Sequence, residues 1–343
     1  MMRRAAVLAL LGVLGSACRS PSSIGAPHAM SAAHETHRMA SLPVTVPGAE
    51  AFDVQTGSGA YRVFVYRPAE PPPPAGYAAL YVVDGNATFA LAAMAANLQA
   101  RSIGPLVVIG IGYPGARLFD VPRRLRDLTP PTRQDVYGAP PDAAHATGGN
   151  DQFLSEVTGP IHRAVAARLP LDPARRTVFG HSLGGLWVLH TLFQTQQAAF
   201  FNRYIAASPS IWWNDASLEQ EADAFLQAAA PPLAAPRARL WLAVDSPPPS
   251  ARRDGVASTP QAERRAHARM QERAEAMAQR LAREGRMRVE TRLLVYPDET
   301  HISYLPAVLS RAVRLAAAQD TPASSLATQA HAERATSTAG ARR

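Results

Sequence analysis

The stretch "RRTVFGHSLGGLWVLHTLF", residues 175–193, constrains the fold more than any other part of the chain. A short apolar run, Thr177-Val178-Phe179, leads at once into Gly180-His181-Ser182-Leu183-Gly184-Gly185 and then into Leu186-Trp187-Val188-Leu189. A strand, a sharp turn and a buried helix fit that order. Tiny residues on both sides of the serine let the helix close onto the strand that it leaves. A strand feeding a helix through one tight turn is the building unit of an α/β fold.

The same unit recurs along the chain. "YRVFVY" (61–66) alternates as a half-buried strand should, whereas "AALYVVDG" (78–85) and "PLVVIGIG" (105–112) are continuous apolar runs, as in strands covered on both faces. "FLSEVTGPIHRAVAARL" (153–169) has helical spacing, interrupted at Gly159-Pro160. Further strands are expected at 203–208, 238–245 and 287–297. Helices are expected over 261–284, ended by Gly285, and from about Leu305 to Ala318. Repeated alternation predicts one α/β domain over residues 47–320, with a mostly parallel sheet and helices on both faces.

Charge argues against a nucleic-acid partner. The 35 basic residues are all arginine and outnumber 27 acidic ones, a net +8. They are scattered rather than gathered into a stripe, and many sit beside glutamate, as in Glu263-Arg264-Arg265. The N-terminus, "MMRRAAVLALLGVLGSAC", reads as a secretory signal peptide over residues 1–18. Cys18 is the only cysteine, which excludes an internal disulfide, and its position suits a lipid anchor. Gly15 and Ala17 suit ordinary signal-peptidase cleavage equally well. A periplasmic protein, free or anchored through Cys18, is the expectation. Residues 19–46, with His28, His34 and His37, read as a flexible tether, and 321–343 as a disordered tail.

The chemistry centres on Ser182. A serine on a strained strand-to-helix turn becomes a nucleophile when an imidazole takes its proton. His301, in "YPDETHISYLP" just after the last strand, is placed to do so. His190, on the helix beyond the turn, is expected to point away, and His267 reads as surface. Asp245, ending "LWLAVD", is a candidate to orient the ring, but it also suits a turn cap before "SPPPS". Asp254, Asp298, Glu299 or a Ser-His dyad are the alternatives. The oxyanion donors would be the Leu183 N–H and an N–H from the loop after "YVVD", at Gly85 or Asn86.

Seven motifs in order, "LYVVDGNATF", "VVIGIGYPG", "RRLRDLTPP", "GGNDQFL", "VFGHSLGGL", "YIAASPSIWWN" and "YPDETHISYLPAVLSRAV", resemble the esterase-D-like α/β-hydrolases. Within that family they look like the periplasmic siderophore esterases that cleave enterobactin-type trilactones. The resemblance runs from about Ala51 to Ala318. It implies an α/β-hydrolase fold, with Ser182 as nucleophile, His301 as base and backbone donors at Asn86 and Leu183. It also implies an arginine facing the substrate at Arg124, which suits an anionic, aromatic-edged ferric tris-catecholate. Pairing of Arg124 or Arg126 with Asp127 is the alternative. Trp212 and Trp213 either line the cleft and stack on rings or pack beneath it. Asp245-Ser246-Pro247 departs from the Gly-Glu that such relatives commonly carry, which leaves the acid open.

The function expected is thus an exported serine esterase acting on a small-molecule ester, a catecholate siderophore lactone. It would work as a monomer and need no cofactor or metal. A feruloyl-type or other carboxylesterase, an acyltransferase, and a ferric-chelate binding protein without activity are the rival readings.

Overall fold

β1 (Ala49–Thr56) and β2 (Gly59–Tyr66) form an antiparallel hairpin in which Thr56 pairs with Gly59. The strictly alternating Tyr61, Val63 and Val65 face the core. β3 (Tyr77–Val83) and β4 (Leu106–Gly112) follow, buried along their whole lengths, as their unbroken apolar sequences require. The remaining strands are β5 (Leu171–His181), β6 (Arg203–Ala207), β7 (Ala238–Ser246) and β8 (Val289–Pro297). These eight join in one sheet of order β1-β2-β4-β3-β5-β6-β7-β8. β2 pairs antiparallel with β4, and every pairing from β4 to β8 is parallel.

This computed structural model describes residues 44–133, 146–194, 200–229, 237–246 and 261–319, with side chains from 269 onward in the last stretch. Residues 1–43, with the expected signal peptide, Cys18 and most of the expected tether, most of the 130–150 loop, Asp254, the His267 side chain and residues 320–343 lie outside it.

Helices connect the parallel strands. They are α1 (Gly85–Ile103), α2 (Val121–Leu128), α3 (Asn150–Glu156), α4 (His162–Ala166), α5 (Leu183–Phe193), the short α6 (Trp213–Ala216), α7 (Leu218–Gln227), α8 (Gln261–Glu284) and α9 (Leu305–Ala317). Strand side chains alternate between two cores. Tyr77, Ala79, Tyr81 and Val83 of β3 meet α3, α4, α5, α7 and α8, whereas Ala78, Leu80 and Val82 meet α1 and α9. α5 is buried at every residue, so its apolar circumference is explained by its place at the centre of one layer. Between α3 and α4 the chain makes a π turn at Val157–Ile161. Pro160 and the non-helical Gly159 (φ −98°, ψ −105°) account for it.

Candidate active site

The carboxyl ends of the central strands carry a row of polar residues: Asp84 after β3, His181 and Ser182 at the end of β5, Ser208 after β6 and Asp245 on β7. In an open parallel sheet this edge is where ligands bind, above all where the strand order reverses. Here β4 and β5 lie on opposite sides of β3, so the crevice opens between the ends of β3 and β5. The backbone there turns sharply. Asp84 (φ 54°), Ser182 (φ 59°), Ser208 (φ 38°) and Asp298 after β8 (φ 61°) all take the left-handed region. Each costs about 1–3 kcal/mol and persists only where its surroundings enforce it.

Ser182 caps α5 with φ 59° and ψ −116°. Its N–H donates to the Ala207 carbonyl at 2.9 Å, and its own carbonyl accepts from the N–H groups of Leu186 (3.0 Å) and Ser210 (3.1 Å). A side chain on Gly180 would put Cβ 2.1 Å from the Gly184 carbonyl oxygen, so strand and helix can meet only over a glycine. The hydroxyl of Ser182 lies 3.3 Å from that of the buried Ser210.

His301 stands in the turn between β8 and α9, with its ring 4.3 Å from the His181 ring, next to Ser182 in the chain. His301 Nδ1 is 3.6 Å from Asp245 Oδ1, with the side chains 18% and 10% exposed. That separation exceeds a hydrogen bond and is short enough to close by a small ring rotation, as resting active sites often require. Burial pushes the Asp245 carboxyl upward, but the His301 ring and a hydrogen bond from Ser208 Oγ outweigh it and hold the group below its ordinary value. The neighbouring His181 is the opposite case. Burial, then the charges of His301 and Arg124, press its pKa far down and keep it neutral.

Leu183 is the first residue of α5, and Gly85 and Asn86 are the first two of α1. The first N–H groups of a helix have no intrahelical partner, and the helix dipole adds positive potential there. Two helix N-termini therefore open at the ends of the adjacent strands β3 and β5. The loop expected after "YVVD" is absent, because Asp84 alone makes the turn and α1 starts at once. The Asn86 side chain is a clamp: Tyr113 N–H donates to Oδ1 at 2.8 Å, and Nδ2 donates to the Tyr113 carbonyl at 3.0 Å.

Arg124, expected to face the substrate, has a carboxylate partner within the protein. It is 11% exposed, and its Nε and Nη2 donate to Asp84 Oδ1 and Oδ2 at 2.9 and 3.0 Å. An ion pair carries no net charge, so much of its attraction for an anion is spent inside the protein. Arg126 binds Asp127 at 2.7 Å, the pairing anticipated from sequence. Trp213 is buried in the main core and Trp212 packs half-buried against it. His190 does point away from the turn, toward Glu221 (2.7 Å) and Asp151 (3.0 Å). Among the described residues no cluster of three or more His, Cys, Asp or Glu side chains forms a metal site.

The sequence reading passed over Asp84, Ser208 and Tyr304. A usable signal existed for the first two: like Asp245, each is the polar residue that ends an apolar strand run, in "YVVD" and "YIAAS".

Comparison with known proteins places the chain in a family. The Esterase family model matches residues 56–289, more than half of the chain. The ferri-bacillibactin esterase BesA of Bacillus subtilis is 31% identical over 81% of this chain and 92% of its own length. The siderophore triacetylfusarinine C esterase of Aspergillus fumigatus is 42% identical over 43% of this chain and 49% of its own. Among solved structures, the siderophore hydrolase EstA from Aspergillus nidulans superposes with a TM-score of 0.66 at 30% identity, covering 81% of this chain and 97% of that one. A serine elbow of this geometry on this sheet order, matched by that family over most of the domain, leads to one conclusion: the chain belongs to the esterase family, with an α/β-hydrolase fold, and is a serine-type enzyme acting on carboxylic ester bonds.

Proposed function

We propose that this esterase is exported and hydrolyses the ester bonds of a siderophore, a catecholate lactone or its ferric complex, through an acyl-enzyme. Ser182 Oγ attacks the ester carbonyl carbon while His301 takes its proton, and Asp245 orients and stabilises the resulting imidazolium. The Leu183 and Asn86 N–H groups hold the oxyanion at the meeting of the two helix N-termini. As the tetrahedral species collapses, His301 returns the proton to the leaving alkoxide and Ser182 stays acylated. Water, deprotonated by His301, then attacks the acyl carbon, and as the acyl–Oγ bond breaks His301 returns that proton to Ser182 Oγ and the carboxylic acid leaves.

The observation that supports this reading is the gathering of Ser182, Asp245 and His301 at one edge of the sheet, after β5, on β7 and beyond β8, in a chain with a relative named a ferri-bacillibactin esterase. Four such relatives are named for siderophores, which supports the substrate class. The test is mass-spectrometric product analysis with apo and ferric catecholate trilactones, set against p-nitrophenyl esters. Release of linear fragments at higher kcat/KM than any simple aryl ester is expected. Turnover of aryl esters alone would assign a general carboxylesterase instead, and trilactone binding without cleavage would assign a carrier. Export and a lipid anchor at Cys18 belong to the same proposal. They predict a membrane-bound periplasmic fraction that Cys18→Ala makes soluble.

A further inference from the structure

Behind Asp245 runs a buried chain of hydroxyl groups that the catalytic scheme above leaves without a role. The Tyr304 hydroxyl donates to Ser208 Oγ at 2.7 Å, and Ser208 Oγ donates to Asp245 Oδ1 at 2.5 Å. That oxygen is the one facing His301 Nδ1. Tyr304 is fully buried and Ser208 nearly so. The members come from separate elements: Ser208 from the end of β6, Asp245 from β7, and Tyr304 from the cap of α9, three residues beyond His301. Ser208 holds a left-handed backbone (φ 38°), fixed by its N–H donating to the Ala243 carbonyl at 2.7 Å. His181 fills the space beside them, 4.3 Å from the His301 ring and 5.8 Å from the Tyr304 ring.

A buried phenol needs some acceptor, and a backbone carbonyl would satisfy it. Here the donor is instead relayed through a second hydroxyl onto a carboxylate. Hydroxyls in series polarise one another, so the last bond to the charged oxygen is strengthened. Burial raises the Tyr304 phenol far above its usual range, so it remains a protonated donor wherever the enzyme works.

We propose that Ser208 and Tyr304 are positioning residues for ester hydrolysis: the phenol orients the Ser208 hydroxyl, which holds the Asp245 carboxylate ionised and turned toward His301. This rests on Asp245 acting as the acid, and the experiment separates the two. In the full chain with a p-nitrophenyl ester, Asp245→Asn is measured first. Unchanged kcat there would overturn the acid assignment and this inference with it.

With Asp245 required, Ser208→Ala should lower kcat about ten- to a hundredfold, the rate equivalent of one hydrogen bond to a charged group, and Tyr304→Phe, which removes a bond between two neutral hydroxyls, about two- to tenfold, both at nearly constant KM. Neither should lower it further in the Asp245→Asn background, and the pair together should match Ser208→Ala alone. Wild-type kcat in both single variants, or losses that persist in full beside Asp245→Asn, would overturn the proposal. If Ser208→Ala does not fold, Ser208→Gly tolerates the left-handed backbone and serves in its place.

Discussion

Arg124 and Asp84 meet as two planar forks, Nε on Oδ1 at 2.9 Å and Nη2 on Oδ2 at 3.0 Å, beside the turn from β3 into α1. Asp84 is the left-handed residue that makes that turn, and the Arg124 guanidinium also lies 5.2 Å from the centre of the Phe119 ring. The pair thus ties α2 to the start of α1, where the Asn86 N–H is presented. The arginine expected to meet the substrate thus also braces the wall of the site.

Arg124→Gln leaves the Asp84 carboxylate buried without its partner, which costs about 3–5 kcal/mol. Asp84→Asn/Arg124→Gln should be more stable than either single variant in thermal melts. An Arg124→Gln enzyme of wild-type melting temperature, impaired only in KM for an anionic substrate, would return the residue to a ligand-binding role.

Ser182→Ala should reduce ester turnover by roughly 10⁴-fold or more while the melting temperature stays near that of the wild type. Ser182→Gly should be equally inactive but should melt above the alanine variant by about 2–4 °C, because glycine relieves the strain at φ 59°. Equal melting temperatures would mean that the turn stores no strain.

A Cβ on Gly112 would fall 2.0 Å from Asn86 Oδ1. Gly112→Ala should dislodge the amide clamp and shift the first turn of α1. It should lower kcat with little change in KM, since the oxyanion donor matters most in the transition state. Steady-state kinetics on one aryl ester suffice, and a change in KM alone would refute the placement of Asn86 N–H in the oxyanion site.

Buried His190 and half-buried His162 predict opposite pH trends in stability. Burial lowers the His190 pKa, but the hydrogen bond and charge of Glu221 and the contact with Asp151 outweigh it and raise the value above 6.5. Its stabilisation is complete below pH 6.5 and is lost as pH rises through the raised value. Burial, with Arg176 and Arg163 nearby, pushes His162 down to about 4, so its contribution is lost as pH falls from 6.5 toward 4. The melting-temperature gap between wild type and His190→Gln should accordingly be wider at pH 6 than at pH 9. The gap for His162→Gln should narrow on acidification. Reversal of either trend would contradict the assigned protonation states.

Local chemistry was enough to read the elbow from sequence. The glycines around Ser182 and the apolar runs on both sides follow from how closely a strand and helix can approach, and each needs only its neighbours in the chain. The alternation of buried strands and helices fixed the α/β class in the same way, through periodicity and turn residues. His301 was legible because its place after the last strand is a matter of order along the chain. The pairing partners were not. Whether Arg124 reaches a ligand or Asp84 depends on the packing of α2 against the β3–α1 turn, forty residues away in sequence. Likewise, the choice among Asp245, Asp254, Asp298 and Glu299 depends on which strand end lies beside His301, and the parallel pairing of β7 with β8 brings Asp245 there. Ser208 and Tyr304 show the same limit, since hydroxyls 96 residues apart carry no mark in sequence of the hydrogen bond between them. Periodicity and turn chemistry act over a few residues and survive in the sequence, whereas charge pairing and hydrogen-bond relays act through space and come into being only when the sheet closes.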